Sequence, residues 1–394
     1  MNIYLVGGAV RDKILGETPT DLDYVVVGAT EKEMEKKGFK RVGKAFPVFI
    51  HPKTGSEYAL ARKEIKKGKG HKAFIFEFTP NVTLEEDLIR RDLTINAMAM
   101  DEESKEIIDP FKGQKDLKNK VLKHVSPHFI EDPLRVLRVA RFHARFPEFS
   151  IAPQTLELMT KITHSGELKT LSSERVLEEL SKAFLAPKPY LFFETLEKCQ
   201  ALKELFASLT SLKSCKNNDL NISDWDYSFQ ILDLAKAFDF SLDLLFSCFF
   251  MIFGKAPKKA QREKDIKKLE FFLEDLRFPQ KAKQLCLQTA KHNKIGHNLL
   301  ESSPEEILDL LKKLKAFHQN HTILPDYLKC IEIESKILYG NENSSEISSK
   351  MFYLIKELKT LNLSHLESKF QGKELGEAID KARKELILSI IKKP

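Results

Sequence analysis

A strand-like run, Tyr4-Leu5-Val6, ends in Gly7-Gly8, and Ala9-Val10-Arg11-Asp12 then reads as the opening of a helix. After a short turn-rich gap, Asp21-Leu22-Asp23 leads into the valine-rich run Tyr24-Val25-Val26-Val27. Paired glycines at a strand-to-helix junction let backbone N–H groups approach an anion, with the positive end of the helix behind them. Arg11 adds a bidentate cation where a triphosphate would lie. Asp21 and Asp23, two apart at the start of a strand, present both carboxylates to one face. That pair suits Mg²⁺, which takes oxygen ligands and keeps phosphates among its partners. Taken singly, Gly-Gly reads as a tight turn and Asp-x-Asp as a solvated turn or helix cap. Their order, with a hydrophobic strand after the second, points to nucleoside triphosphate chemistry.

At 394 residues the chain exceeds one small core, so several structural units are expected. Sixty-four Lys+Arg against 57 Asp+Glu give a net charge of +7, which suits a polyanionic partner and equally a lysine-rich proteome. Cys199, Cys215, Cys248, Cys286 and Cys330 are scattered without a Cys-x-x-Cys pair, which excludes a disulfide framework and a zinc site and implies a reducing compartment. The chain begins directly with a strand rather than a signal peptide, and its most apolar run, 242–253, is too short to span a bilayer. A cytoplasmic protein without a membrane partner is the expectation.

Up to about residue 125, short β-rich runs at 3–6, 22–27, 48–51, 57–61, 73–78 and 107–109 alternate with helical stretches. Beyond about residue 130, Leu, Phe and Ile recur at helical spacing, and almost nothing alternates like a strand. Breaks are expected at 186–189, 211–223, 293–303 and 339–349. The predicted organisation is an α+β head with a small mixed sheet at 1–128, followed by a helical neck at 129–190, a helical body at 191–290 and a helical tail at 291–394.

Two further segments carry chemistry. In Arg90-Arg91-Asp92-Leu93-Thr94-Ile95-Asn96-Ala97, donors and acceptors would line one helical face. Arg91 would grip a triphosphate, and Asp92 and Asn96 would fix a ribose or brace the arginine. The same pattern also serves as an ion-pair network on a helix surface. In Glu131-Asp132-Pro133-Leu134-Arg135-Val136-Leu137-Arg138, Pro133 suits a first helical position, so Asp132 reads most simply as an N-cap. The sharper reading concerns bases. Cytosine and adenine offer an amino donor beside a ring-nitrogen acceptor, whereas uracil and guanine offer a carbonyl beside a ring N–H. A carboxylate next to a guanidinium, as in Asp132 with Arg135, therefore matches C and A and mismatches U and G.

Together these segments resemble the class II tRNA nucleotidyltransferases, the bacterial CCA-adding enzymes, which share a superfamily with poly(A) polymerases and polymerase-β-like enzymes. The likeness runs from residue 1 to about 185. It takes in Val42-Gly43-Lys44-Ala45-Phe46-Pro47-Val48, Glu57-Tyr58-Ala59-Leu60-Ala61-Arg62 and Ser173-Glu174-Arg175-Val176-Leu177-Glu178-Glu179, the last resembling a further helical motif of the neck. The resemblance implies a polymerase-β-like nucleotidyltransferase head and addition of C, C and A to the 3′ end of tRNA from CTP and ATP. It implies that Asp21 and Asp23 hold Mg²⁺, that Gly8, Arg11 and Arg91 contact the triphosphate, and that Asp132, Arg135 and Arg138 read the base. It also implies a flexible loop at the lysine-rich 62–72 that helps the switch from C to A, a third carboxylate at Glu64, and a tRNA-binding tail.

The likeness weakens in the body. Many relatives carry an HD phosphohydrolase-type module, but Met251 and Ile252 stand where His and Asp would be expected, although Gly254-Lys255 remains. A degenerate module acting as scaffold is the expectation. The lysines at 255–268 lack interleaved aromatics; phosphate contact and a solvated face are equally good readings. A poly(A) polymerase, a partial CC- or A-adding enzyme and a non-catalytic RNA-binding relative are the alternatives. Poly(A) polymerases tend to carry two basic residues after Val-Gly, whereas Lys44 is followed by Ala45. The oligomeric state is open, with a monomer favoured.

Overall fold

The computed structural model describes residues 1–42, 48–66, 74–217, 222–318 and 323–391. Most of the expected flexible loop, the 43–47 motif segment and the side chain of Glu64 therefore lie outside the described residues. The chain packs as two compact units, Met1–Ala207 and Ser208–Pro394.

The first unit opens with β1 (Asn2–Val6), α1 (Gly8–Ile14), β2 (Asp23–Val27), α2 (Glu31–Lys36), β3 (Lys40–Val42), β4 (Val48–Ile50) and β5 (Glu57–Leu60). An antiparallel pair, β6 (Lys63–Lys66) and β7 (Phe74–Glu77), precedes α3 (Leu84–Leu88), a 3-10 turn at Thr94–Asn96, β8 (Ala99–Asp101) and β9 (Ile107–Ile108). Seven strands form one mixed sheet in the order β3-β4-β5-β2-β1-β8-β9, in which only β2 and β5 run parallel. Each of the six runs read as strands contains a strand. β3 and β8 carry too few β-branched or aromatic residues to be read alone, and sheet pairing decides them.

Alternation along the strands divides the head's core. Val6 and Val25 pack on one face with Val82, Leu88 and Ala97, while Leu5 packs on the other with Ala9, Val10 and Met98. Gly7 joins β1 to α1 at φ +72°, and a Cβ there would lie 2.9 Å from Arg91 Nη1. Both the left-handed backbone and the close guanidinium require glycine.

The unit continues through α4 (Gly113–Lys118), β10 (Val121–Leu122), a 3-10 turn at Pro127–Glu131, α5 (Leu134–Arg145), β11 (Ser150–Ile151), α6 (Pro153–His164), α7 (Ser173–Leu185), α8 (Tyr190–Lys198) and α9 (Ala201–Thr210). Helix α5 presents Val136, Leu137, Val139 and Ala140 to the interior and packs against α7 and α8. Its arginines are thereby carried toward the head.

The second unit holds the two-residue strands β12 (Lys216–Asn217) and β13 (Ile222–Ser223). Its helices are α10 (Asp224–Ala237), α11 (Leu242–Phe250), α12 (Lys259–Asp275), α13 (Gln280–Lys291), α14 (Asn293–His297), α15 (Pro304–Lys313), α16 (Leu324–Tyr339), α17 (Asn341–Thr360), α18 (Ser364–Glu367) and α19 (Gly372–Ile391). The break expected over 339–349 is narrower than its Asn/Ser-rich composition suggests: Gly340 alone interrupts, at φ +81°, and α17 begins at the next residue. Met251 and Ile252 are buried apolar residues in a 3-10 turn that packs on α13, where a Cβ on Gly254 would collide with the Ala290 carbonyl. Among the described residues no group of three or more His, Cys, Asp or Glu side chains is placed to hold a metal. Inside the second unit, fully buried Glu334 accepts from Lys255 (2.6 Å), His297 (2.7 Å), Tyr227 (3.2 Å) and Asn293. Among the described residues no helix is long and apolar enough to cross a membrane.

Candidate active site

A cleft of about 1270 Å³ in the first unit is lined by all eight residues singled out for nucleotide and metal contact, Gly8, Arg11, Asp21, Asp23, Arg91, Asp132, Arg135 and Arg138. Residues more than a hundred positions apart in the chain thus share one wall-to-wall space.

Two of the lining carboxylates stand at the start of β2. Strand β2 begins at Asp23, and Asp21 occupies the lead-in just before it. The parallel register of β2 with β5 sets Glu57 beside Asp23, on the same face of the sheet. Desolvation by the surrounding protein raises the Asp23 pKa, the nearby Arg91 opposes this, and the Asp21 charge adds to it. These like charges lie near one edge of the sheet without forming a preassembled three-carboxylate cage among the described residues; carboxylates here, together with substrate oxygens, are the donors a hard divalent cation would take.

Arg91 sits over Gly7 and donates to Asp87 Oδ2 at 3.3 Å, while its buried Nε has no hydrogen-bond partner. The expected helical face across 90–97 does not form. Helix α3 ends at Leu88, Leu93 is extended and bridges His124, and Asn96 lies in the separate 3-10 turn. The reason is local: the Asp92 carboxylate accepts from the Leu93 amide at 2.8 Å and from Asn96 Nδ2 at 3.0 Å, an alternative to helical bonding that aspartate commonly offers. Asp92 and Asn96 still meet, by a turn rather than by helical periodicity.

Asp92 belongs to a chain of alternating charge that crosses the floor of the cleft. Arg145 donates to Asp12 (3.2 Å) and Glu17 (3.3 Å), and Asp12 accepts from Arg11 Nε at 2.9 Å. Arg11 Nη1 donates to Asn96 Oδ1, Asn96 to Asp92, and Arg138 Nε to Asp92 at 2.7 Å. Arg138 also lies 3.7 Å from Glu179, which accepts from Arg141 at 2.5 Å. Burial alone would raise the Asp92 pKa, but Arg138, Asn96 and the Leu93 amide hold it well below the usual carboxylate range. Asp92 in turn raises Arg138. Arg11 is only 2% exposed, against the rings of both Phe142 and Phe146, so its guanidinium braces the wall as much as it faces the cleft. Asp92 and Asn96 do not brace Arg91 as expected: Arg91 donates to Asp87, whereas Asn96 accepts from Arg11 and Asp92 from Arg138.

Asp132 and Arg135 line the same cleft. Asp132 Oδ1 accepts from the Leu134 amide at 3.1 Å, the expected capping contact, while Oδ2 accepts from Arg175 of α7 at 2.8 Å. Arg135 is buried and donates from Nη1 to the His128 carbonyl and from Nη2 to the Arg90 carbonyl. The guanidinium paired with Asp132 is therefore Arg175, and Arg135 is anchored to backbone; this differs from the pairing the one-turn spacing suggests. Arg62 and Arg90 complete this wall. Desolvation, with Arg62 and Arg135 nearby, pushes the Arg90 guanidinium down to about 9. A wall this rich in cations is built for a polyanion.

Sequence reasoning missed Glu57, whose placement follows only from the β2–β5 register, and gave no individual role to Arg175 and Glu179. The four-residue spacing of Arg175 and Glu179 was the available signal, since it puts both on one face of a helix.

A carboxylate-bearing mixed sheet, a Gly-Gly strand-to-helix junction and an arginine-lined cleft define a polymerase-β-like nucleotidyltransferase. Residues 3–123 match the family model described as "Poly A polymerase head domain", and residues 148–213 match "Probable RNA and SrmB-binding site of polymerase A". The chain belongs to the family of multifunctional CCA proteins. It is 40% identical to the Multifunctional CCA protein of Pseudomonas fluorescens over 97% of each chain, and 40% identical to that of Acinetobacter baumannii over 98% of this chain and 97% of the relative. Among solved structures, a CCA-adding enzyme with ATP aligns with a TM-score of 0.64 at 21% identity, covering 99% of this chain and 88% of the other. A Thermotoga maritima CCA-adding enzyme complexed with tRNA aligns with a TM-score of 0.62 at 22% identity, covering 99% and 90%. These two likenesses show the fold.

Proposed function

We propose that this protein is a cytoplasmic enzyme that adds C, C and A to the 3′ end of tRNA, using CTP and ATP and releasing pyrophosphate. The observation that carries this reading is a single cleft lined both by Asp21 and Asp23 and by the arginines and carboxylate of Asp132, Arg135 and Arg138.

Asp21 and Asp23, with Glu57 beside them, are the groups that would hold Mg²⁺. When bound, that ion supplies activation of the 3′-hydroxyl and charge neutralisation of the departing pyrophosphate. Arg91 lies where it can take up phosphate charge, with Gly8 at the same wall; Arg11 supports that wall from beneath. Asp132 accepts the exocyclic amino group that cytosine and adenine share, and Arg135 and Arg138 donate to the adjoining acceptors. Uracil or guanine in the same place sets carbonyl against carboxylate, which leaves polar groups unpaired and gives strong discrimination. The neck at 129–190 supplies this template, and the helical tail at 291–394 contributes to tRNA binding.

The test is incubation of the full chain with Mg²⁺ and a tRNA ending at its discriminator base, offering CTP, ATP or both, and sequencing the 3′ ends. The expected product is CCA. Long A tails would identify a poly(A) polymerase, and no product would identify a binding protein. The double substitution D21A/D23A is expected to abolish addition and to retain tRNA binding.

A further inference from the structure

Helices α5 and α7 run side by side in the same direction. Arg175 meets Asp132, Glu179 meets Arg138 and Arg141, and the Lys188 amide donates to the Ala144 carbonyl at 3.1 Å. Their C-terminal ends therefore lie together. Both ends line the cleft, α5 through Arg145 and α7 with its exit through Lys182, Leu185 and Pro187. Arg138 and Arg145 are seven residues apart, two turns along one helix face and about 10 Å along its axis. The C-terminal ends are thus distinct from the residues assigned to the base.

We propose that the C-terminal ends of α5 and α7 form a second subsite, for the unpaired 3′ strand of the RNA that receives the nucleotide. The inference rests on the nucleotidyl-transfer reading, which needs an RNA end and a nucleoside triphosphate in one space at once. Single-stranded nucleic acid is held by cations along its phosphates and by apolar or aromatic surface against its bases. This part of the cleft offers both. Arg145 and Lys182 supply positive charge from the two helices. Leu185 is 56% exposed, with exposed Pro187 two residues on, which gives an apolar shelf beside those cations. A triphosphate alone has no use for such a shelf, whereas a base joined to its phosphate does.

Arg145 also ties this subsite to the carboxylates. It donates to Glu17 at 3.3 Å, and Glu17 precedes Asp21 by four residues, so the two Cα atoms are at most about 14 Å apart. An RNA strand that crosses Arg145 is led toward Asp21 and Asp23, where its terminal hydroxyl reacts. The side chains of Arg145 and Glu17 are both at least one-third exposed, and ion pairs of that kind are weak. Glu17 can therefore yield Arg145 to an RNA phosphate. Buried Asp12, the other carboxylate that Arg145 meets, keeps the guanidinium in place during the exchange.

The experiment uses the full-length protein and the variants K182A, L185S and E17Q. Affinity is measured for tRNA with an unpaired 3′ end and for the same tRNA trimmed to a blunt acceptor stem, across a salt series. KM for CTP and Tm are recorded alongside. K182A is expected to weaken binding of the unpaired end by about threefold or more and to reduce the salt slope by about 1. L185S is expected to weaken it by about the same factor with the salt slope unchanged, as loss of a base contact requires. E17Q is expected to tighten it by about two- to fivefold, the scale of one exposed ion pair. On the blunt tRNA all three variants match wild type, and KM for CTP does not move. Folded K182A and L185S that bind the unpaired end like wild type would overturn the proposal. So would a defect that persists on the blunt tRNA, which places the contact elsewhere, or one that appears in KM for CTP, which assigns these residues to the nucleotide. Should L185S not fold, K182A and E17Q give the decision. A wild-type protein that binds tRNA but adds neither C nor A would defeat the functional reading, while the binding comparison still decides the subsite.

Discussion

Replacing Asp92 by Asn tests the central link of the polar chain. Asp92 is 5% exposed and accepts from the Leu93 amide, Asn96 and Arg138. Asparagine keeps the shape and one acceptor oxygen, but its amide nitrogen faces a donor that was an ion-pair partner. Stranding one member of a buried pair costs about 3–5 kcal/mol. Arg138 is one-third exposed at its side chain and keeps Glu179 nearby, which lowers the figure to roughly 2–3 kcal/mol. For a unit of this size that corresponds to a fall in Tm of roughly 4–12 °C. The acid response changes too. Asp92 has a folded pKa below its unfolded value, so it contributes stability above the unfolded pKa that is lost as pH falls through the folded one. D92N loses that component, and its stability deficit relative to wild type therefore narrows toward low pH. Thermal unfolding followed by circular dichroism between pH 3 and pH 8, with single-turnover nucleotide addition at pH 7.5, measures both. A D92N protein with wild-type Tm and wild-type addition would refute the reading that the buried Asp92–Arg138 pair braces the cleft.

Glu57→Gln is expected to lower kcat by at least about tenfold while leaving KM for CTP within a few-fold, as loss of a charge beside Asp23 requires; steady-state kinetics across a Mg²⁺ titration reads it, and unchanged kcat would remove Glu57 from the site. Gly7→Ala adds a Cβ close to Arg91 Nη1 at a positive φ, so a stability loss of about 1–3 kcal/mol and a sharp fall in addition are expected; a fully active, equally stable G7A would show that the junction tolerates side chains. In the second unit, Glu334 is held down to about 2 despite burial, by His297 and Lys255. Its contribution is present above the unfolded carboxylate pKa and lost as pH falls from about 4.5 toward 2, on the order of 3 kcal/mol in all. E334Q is expected to destabilise that unit at pH 7 and to flatten its acid transition, as denaturant melts at pH 7 and pH 4 would report.

Most of the head was legible because its signals are local. Tyr4-Leu5-Val6 before Gly7-Gly8, and Asp23 before three valines, specify a strand and a turn within a few residues. The catalytic candidates lie on those elements, so their grouping by pairs could be read directly. The segment 90–97 was misread because it has helical composition, while the competing acceptor, the carboxylate of Asp92, lies inside the segment itself. The Asp132–Arg135 pairing was misread for another reason: spacing along a helix says which residues are near each other, not which distant donors outcompete them. Arg175 lies 43 residues beyond Asp132 and wins one of its oxygens through the packing of α7 on α5.

The sequence by itself determined the parts: a glycine junction that only glycine can occupy, two acidic residues on one strand edge, a capped arginine helix, and a body without the His and Asp of a metal hydrolase. Tertiary structure decided the partners. Glu57 reaches Asp23 through sheet register, Arg11 is joined to Arg138 through Asn96 and Asp92, and Asp132 is held by Arg175 across two helices. Backbone conformation and strand polarity follow from short-range sterics and periodicity, which neighbouring residues encode. The choice of partner for a buried charge depends on which opposite charges share its low-dielectric surroundings, and the folded chain alone brings those together.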